Sequence, residues 1–197
     1  MWLNETSQLQ KRDLVLTQPF VNAPGTLGFA PDPHRMPFLA HLGAFFTTPS
    51  SRRPRQPAGN RTYLPFPGGV LLHTGLPNPG ISRVIIKYQL AWAESPLPVI
   101  AHLLAEHPAT LSEMVRKLEG LENVQAVSIG IAPGCDPTHL EAFTEAALGE
   151  LPVILSLSPE QLPLLDTVIA LQPSAVHLAP PRGILRDERG EWVTGRL

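Results

Sequence analysis

Lysine is nearly absent from this chain: 197 residues hold three, Lys11, Lys87 and Lys117. Chemistry that calls for an ammonium group has only these to draw on. Cysteine is scarcer still, and the single Cys135 excludes an internal disulfide framework and fits a reducing compartment. Neither sign of charge is in excess, since 15 basic residues face 17 acidic ones for a net charge of −2. That balance provides no basic face for nucleic acid. Arginines do cluster at Arg52, Arg53, Arg55 and Arg61, but among prolines and polar residues, which reads as a solvated loop. No apolar run is long enough to span a bilayer and no leader-like segment opens the chain, so the expectation is a soluble, cytoplasmic protein without membrane contact. The histidines at 34, 41, 102, 107, 139 and 177 show no metal-ligand spacing, and no metal is expected. Phosphate-loop and dinucleotide fingerprints are missing too.

What is abundant is order of a repeating kind. Apolar runs begin at Val99, Ala126 and Val153, 27 residues apart, and Ala175 opens a fourth. Each of the first three precedes a helical pattern. The caps expected for those helices are Thr110 with Glu113, then Asp136 followed by Pro137, then Ser158-Pro159-Glu160-Gln161. Strand, capped helix, strand is the signature of a parallel α/β sheet. Upstream, residues 20–23 and 44–47 read as strands, 36–43 as a short helix ending at Gly43, and 81–94 as a helix whose apolar face carries Ile85, Ile86, Leu90 and Trp92. Residues 5–16 suggest an N-terminal β-hairpin. The proline-rich stretch 49–80 reads as a long ordered loop, anchored by Tyr63, Phe66, Val70 and Leu71, that covers one end of the sheet. Within it, residues 65–80 are too rich in glycine and proline for a helix or central strand.

Three segments, in order, carry a likeness. Gly75-Leu76-Pro77-Asn78-Pro79-Gly80 resembles the loop of the class 1 dihydroorotate dehydrogenases that passes over the substrate side of a flavin. Phe20-Val21-Asn22-Ala23-Pro24-Gly25-Thr26-Leu27-Gly28 is similar to that family's first barrel strand and its flavin contact, and Leu42-Gly43-Ala44-Phe45-Phe46-Thr47 to its second strand. The resemblance continues more thinly to the last residue. It implies one domain over residues 1–197, a TIM-type (β/α)8 barrel that is incomplete, with about six βα units where a closed barrel needs eight. Six parallel strands would leave two bare edges, and the open edge is completed by another chain in a homo- or hetero-oligomer, by a swapped copy, or by nothing stable. The implied cofactor is FMN, the implied reaction the oxidation of dihydroorotate to orotate, and the implied small-molecule partner a planar pyrimidine.

The same resemblance names site residues and exposes gaps. Backbone around Ala23 and Gly25 would cradle the flavin, while Thr48 and Ser156 stand where the family carries lysines. Substrate contacts would come from His73, Gly75, Leu76 and Asn78, although His73 serves equally as an ordinary loop histidine and Asn78 fits better as the start of an Asx-type turn before Pro79. The family's other substrate-binding asparagines fall at Leu72 and Gly130, which cannot supply a bidentate amide. A catalytic cysteine lies just past the family's fourth strand. An ungapped match puts Pro133 there, leaving Cys135 two positions late, either as the base in a shifted loop or as a thiol beside a helix N-terminus. Three readings therefore stay open: a flavin-dependent oxidoreductase, a non-catalytic binding or assembly subunit, and a barrel fragment without an independent role that a partner chain completes.

Overall fold

The computed structural model describes residues 14–59 and 63–197. The expected N-terminal hairpin falls largely on residues outside that set. A 3₁₀ turn over Pro37–His41 takes the place of the expected helix at 36–43, with Pro37 at its first position. The strands follow as β1 (Phe45–Phe46), β2 (Ser50–Ser51), β3 (Tyr63–Phe66) and β4 (Gly69–Leu72), then helix α1 (Ile81–Ala93) and β5 (Val99–Leu104). Next come α2 (Pro108–Glu119), β6 (Val124–Gly130), α3 (Pro137–Ala147), β7 (Val153–Leu157), a 3₁₀ turn over Pro159–Leu164 and α4 (Leu165–Leu171). The chain then forms β8 (Ala175–Leu178), β9 (Arg182–Arg186) and β10 (Trp192–Arg196).

The repeat legible at 99, 126, 153 and 175 forms a curled parallel half-barrel in the order β1-β5-β6-β7-β8, with β2 also pairing with β5. An isolated parallel bridge between Val21 and Ala44 extends it by one position. The first strand goes no further as backbone, and the side chain of Asn22 takes over. Its Oδ1 accepts from the Phe46 N–H and its Nδ2 donates to the Phe46 carbonyl, both at 2.8 Å, as a neighbouring strand would.

Alternation along each strand divides the core in two. Val99, Ala101, Leu103, Val127, Ile129, Val153 and Leu155 face outward onto the helices, where they meet Leu111, Met114 and Leu118 of α2. Ala44, Phe46, Ile100, Ala126 and Ile154 face inward as a separate apolar cluster. The helices start where their sequences dictate. α3 opens on Asp136, whose carboxylate accepts from the His139 N–H at 2.8 Å, and Ser158 and Gln161 form a reciprocal capping box. α2 begins earlier than its sequence suggested, with His107 as cap and Pro108 at the first turn, so Thr110 lies inside the helix. On α1 the buried side is Ile81, Val84 and Trp92, while Ile86 and Leu90 project into solvent at 76% and 72% exposure. Their removal from the core has a local cause: Trp92 donates its indole N–H to the Phe29 carbonyl at 2.7 Å, and Tyr88 stacks on Phe29, which fixes the other face of the helix inward.

The stretch 49–80 is more regular than its composition suggests. β3 and β4 form an antiparallel hairpin, and β4 joins β10, which pairs with β9, to give a four-stranded sheet in the order β3-β4-β10-β9. Glycine at 69 and 195 lets these strands approach: a Cβ at Gly195 would fall 2.3 Å from the Leu72 carbonyl oxygen. Of the anchors expected here, Leu71 is fully buried, whereas Tyr63 and Val70 are exposed.

Candidate functional site

The inward face changes character one step further along each strand. Above the apolar layer, β5 presents His102, β6 Ser128, β7 Ser156 and β8 His177, and these are register partners across neighbouring strands. His102 Nδ1 lies 3.0 Å from Ser128 Oγ, and His177 Nδ1 3.0 Å from Ser156 Oγ. The His102 N–H also donates to Thr47 Oγ1 at 3.1 Å. Complete burial, then the charges of His177 and Arg196, depress His102 to a pKa of about 3. Burial and then Arg196 also lower His177, which is only half enclosed. Both imidazoles are therefore neutral at ordinary pH, able to donate from one nitrogen and accept at the other.

Arginines from the antiparallel sheet meet the carboxyl ends of these strands. Arg182 Nη2 donates to the Ile131 carbonyl at 3.2 Å, and Arg196 Nη1 to the Pro180 carbonyl at 2.7 Å. Neither residue was singled out by sequence reading. The available signal was the alternating pair of segments Arg182–Arg186 and Trp192–Arg196 around the turn at Asp187 and Gly190, which is a hairpin pattern.

The residues that the sequence proposed are distributed unevenly around this layer. Ser156 belongs to it, and the hydroxyl is committed to His177. Thr48 lies beside it, its backbone N–H donating to the Gly28 carbonyl at 2.7 Å. Ala23 and Gly25 form an exposed turn in which the Ala23 carbonyl accepts from Thr26 Oγ1 at 2.7 Å, and Gly25 packs against Pro49. His73 is tied to the antiparallel sheet through Nδ1, 2.7 Å from the Thr194 carbonyl oxygen. Gly75 takes a φ of +74° against the backbone of Gln56 and Ala58, and Leu76 is held at φ +51° and stays 40% exposed. Asn78 is buried, and its Oδ1 accepts from the Ser51 N–H, Ser51 Oγ and the Gly80 N–H, the last closing an Asx turn before the helix. Leu72 points outward at 53% exposure. Gly130 faces His102, and a Cβ there would lie 3.3 Å from Nε2.

Cys135 sits on the other side of the sheet. It lines a cavity of about 30 Å³ between β6, β7 and α3, with Ile129, Leu140, Phe143 and Leu155. Burial, then the Asp136 carboxylate, pushes its thiol above the ordinary value, so it is protonated at neutral pH. A second cavity, about 130 Å³, opens at the amino ends of the strands beside Leu14, Leu16, Ala44, Pro98 and Ile100. Lys117 Nζ bonds Ser82 and Glu113, and Lys87 Nζ lies over the Tyr88 ring, both on the helical exterior. Among the described residues no group of three or more histidine, cysteine or carboxylate side chains could hold a metal ion, and no helix is long and apolar enough to cross a membrane.

No family model matches the chain. Curated proteins do. It is 32% identical over 161 residues to the catalytic subunit of dihydroorotate dehydrogenase B (NAD(+)) of Maridesulfovibrio salexigens, covering 74% of this chain and 52% of that one. It is 26% identical over 178 residues to the corresponding catalytic subunit of Bacillus cereus, covering 84% and 57%. The chain thus spans about half the length of the curated relatives it matches. Joined to a half-barrel of alternating strands and helices, this similarity is consistent with a divergent relative of the dihydroorotate dehydrogenases.

Proposed function

We propose that this chain is a dihydroorotate dehydrogenase-like protein that has given up flavin redox chemistry and works as a binding subunit. The observation that carries the reading is the closed polar layer at the barrel mouth. Ser156, matched to a lysine in the family, is buried and hydrogen-bonded to His177, and the space over Gly130, matched to an asparagine, is bounded by His102. A reduced isoalloxazine needs a cation against its ring and an amide clamp on the substrate. The residues present do not fit FMN in that arrangement. Lys87 and Lys117 lie outside the barrel, Asn78 is saturated by its own loop, and the Cys135 thiol lies between the sheet and α3. Loss of one electrostatic partner to a developing anion typically costs about 3–4 kcal/mol of barrier, and here Thr48 and Ser156 replace both matched lysines while the guanidiniums of Arg182 and Arg196 are turned onto the Ile131 and Pro180 carbonyls.

Colour is the test. Protein purified without added cofactor is expected to lack a visible flavin band, to remain colourless after incubation with FMN and desalting, and to form no orotate from dihydroorotate with an artificial acceptor. A flavin band at stoichiometric occupancy would overturn the proposal and restore the FMN-dependent oxidoreductase.

A further inference from the structure

The antiparallel sheet sets two arginines opposite one another and gives neither a counterion. Arg182 and Arg196 are register partners on β9 and β10 and so share a face, with Cβ atoms about 4.5–5.5 Å apart at such positions. Both are half-buried. Each guanidinium uses one Nη on a backbone carbonyl, and Arg182 Nε is buried with no hydrogen-bond partner. Among the described residues no ion pair includes either side chain. Glu160 is the carboxylate in reach, and one of its oxygens already accepts from the Arg182 backbone N–H, at 2.6 Å. Like charges placed directly opposite are destabilising, and an enclosed charge without a partner is more so. The arrangement is satisfied by an anion with several acceptor oxygens, because a guanidinium fork matches phosphate and carboxylate geometry.

We propose that Arg182 and Arg196 form the receptor for a small oxyanion, a phosphoryl or carboxylate group, bound at the carboxyl ends of β6 and β8 beside the His177–Ser156 pair. The groups facing it are the two guanidiniums, the Glu160 carboxylate and the neutral imidazoles of His177 and His102. Burial lowers both guanidiniums from their ordinary value and the charge of Arg182 lowers Arg196 further, while the single Glu160 carboxylate opposes in each case. The inference stands apart from the fate of the flavin. A flavin band decides that question, and an anion titration decides this one.

Thermal unfolding of the full chain in increasing inorganic phosphate, against sodium chloride at matched ionic strength, is the experiment, with benzoate as a carboxylate arm. A rise in Tm with phosphate alone identifies a phosphoryl site, and with benzoate alone a carboxylate site. Arg182→Gln and Arg196→Gln are each expected to weaken the effective anion by roughly tenfold or more. Arg52→Gln, which breaks an exposed ion pair with Glu113, should leave the affinity unchanged. Should either test variant fail to fold, the His177 imidazole of the unaltered protein decides by NMR, because a bound anion must raise its pKa. Neither anion exceeding chloride, undiminished affinity in both folded variants, or a His177 titration unmoved by the anions would overturn the proposal.

Discussion

A buried amide is fixed by what it bonds, and Asn78 shows how much one such side chain can hold. Its Oδ1 takes three donors from Ser51 and Gly80, while Nδ2 donates to the Leu76 carbonyl at 3.0 Å. Asn78→Ala would strand buried donors of two segments at once, so the expected loss is about 2–4 kcal/mol of unfolding free energy, read by urea denaturation. A contact that served only a ligand would leave the denaturation midpoint where it was. His102 supplies a second prediction, with a definite sign. Its folded pKa of about 3 lies below the ordinary 6.5, so the unfolded chain takes up a proton that the folded chain refuses. The neutral imidazole's contribution is complete above pH 6.5 and is lost as pH falls toward 3, with a slope on the order of 1.4 kcal/mol per pH unit at most. His177, shifted the same way, steepens the effect. Denaturation at pH 7 and pH 5 should show a marked drop for the unaltered protein and a smaller one for His102→Asn, whose amide keeps a polar group near Ser128. Equal drops in the two proteins would dismiss His102 as the source.

Between elements, the junction of β4 with β10 depends on the absence of a side chain. A Cβ at Gly195 would fall 2.3 Å from Leu72 O and 2.6 Å from Leu71 Cδ2, and backbone cannot yield as a flexible side chain does. Gly195→Val is therefore expected to cost about 1–3 kcal/mol and to loosen β9 and β10 in particular. Limited proteolysis should then cut within residues 182–197 while the parallel sheet resists, and a protease pattern matching the unaltered protein would refute the claim. This junction also marks where sequence reading stopped working. β5, β6 and β7 are buried on both faces, so they appear as unbroken apolar runs at a fixed interval, and their helices carry caps a few residues on. β9 and β10 alternate exposed and half-covered residues, and β10 completes its pairing with a segment distant in the chain. Nothing local announces that. The histidine–serine layer was legible only in part: His102 and His177 could be placed on strands, but their pairing with Ser128 and Ser156 depends on inter-strand register. The two arginines come together by the same nonlocal pairing.

At the scale of the whole molecule, the half-barrel leaves β8 with β7 as its single hydrogen-bonded neighbour among the described residues. Edge strands with apolar side chains are templates for association unless charge or proline blunts them. Here Leu178 is 67% exposed, and Leu165 and Ile169 on the adjoining α4 are exposed as well. Lysine, the usual guard on an open edge, is missing from β8. We therefore propose that β8 meets a second copy of the chain. Light scattering coupled to size exclusion should give a mass that rises with protein concentration. Leu178→Lys should return the mass to the 21.4 kDa of one chain while changing stability by no more than about 0.5 kcal/mol, as for an exposed position. A monomeric mass at every concentration for the unaltered protein would rule the association out. Association that survives the lysine would place it on another face, and the exposed Ile86 and Leu90 of α1 would be the next pair to replace.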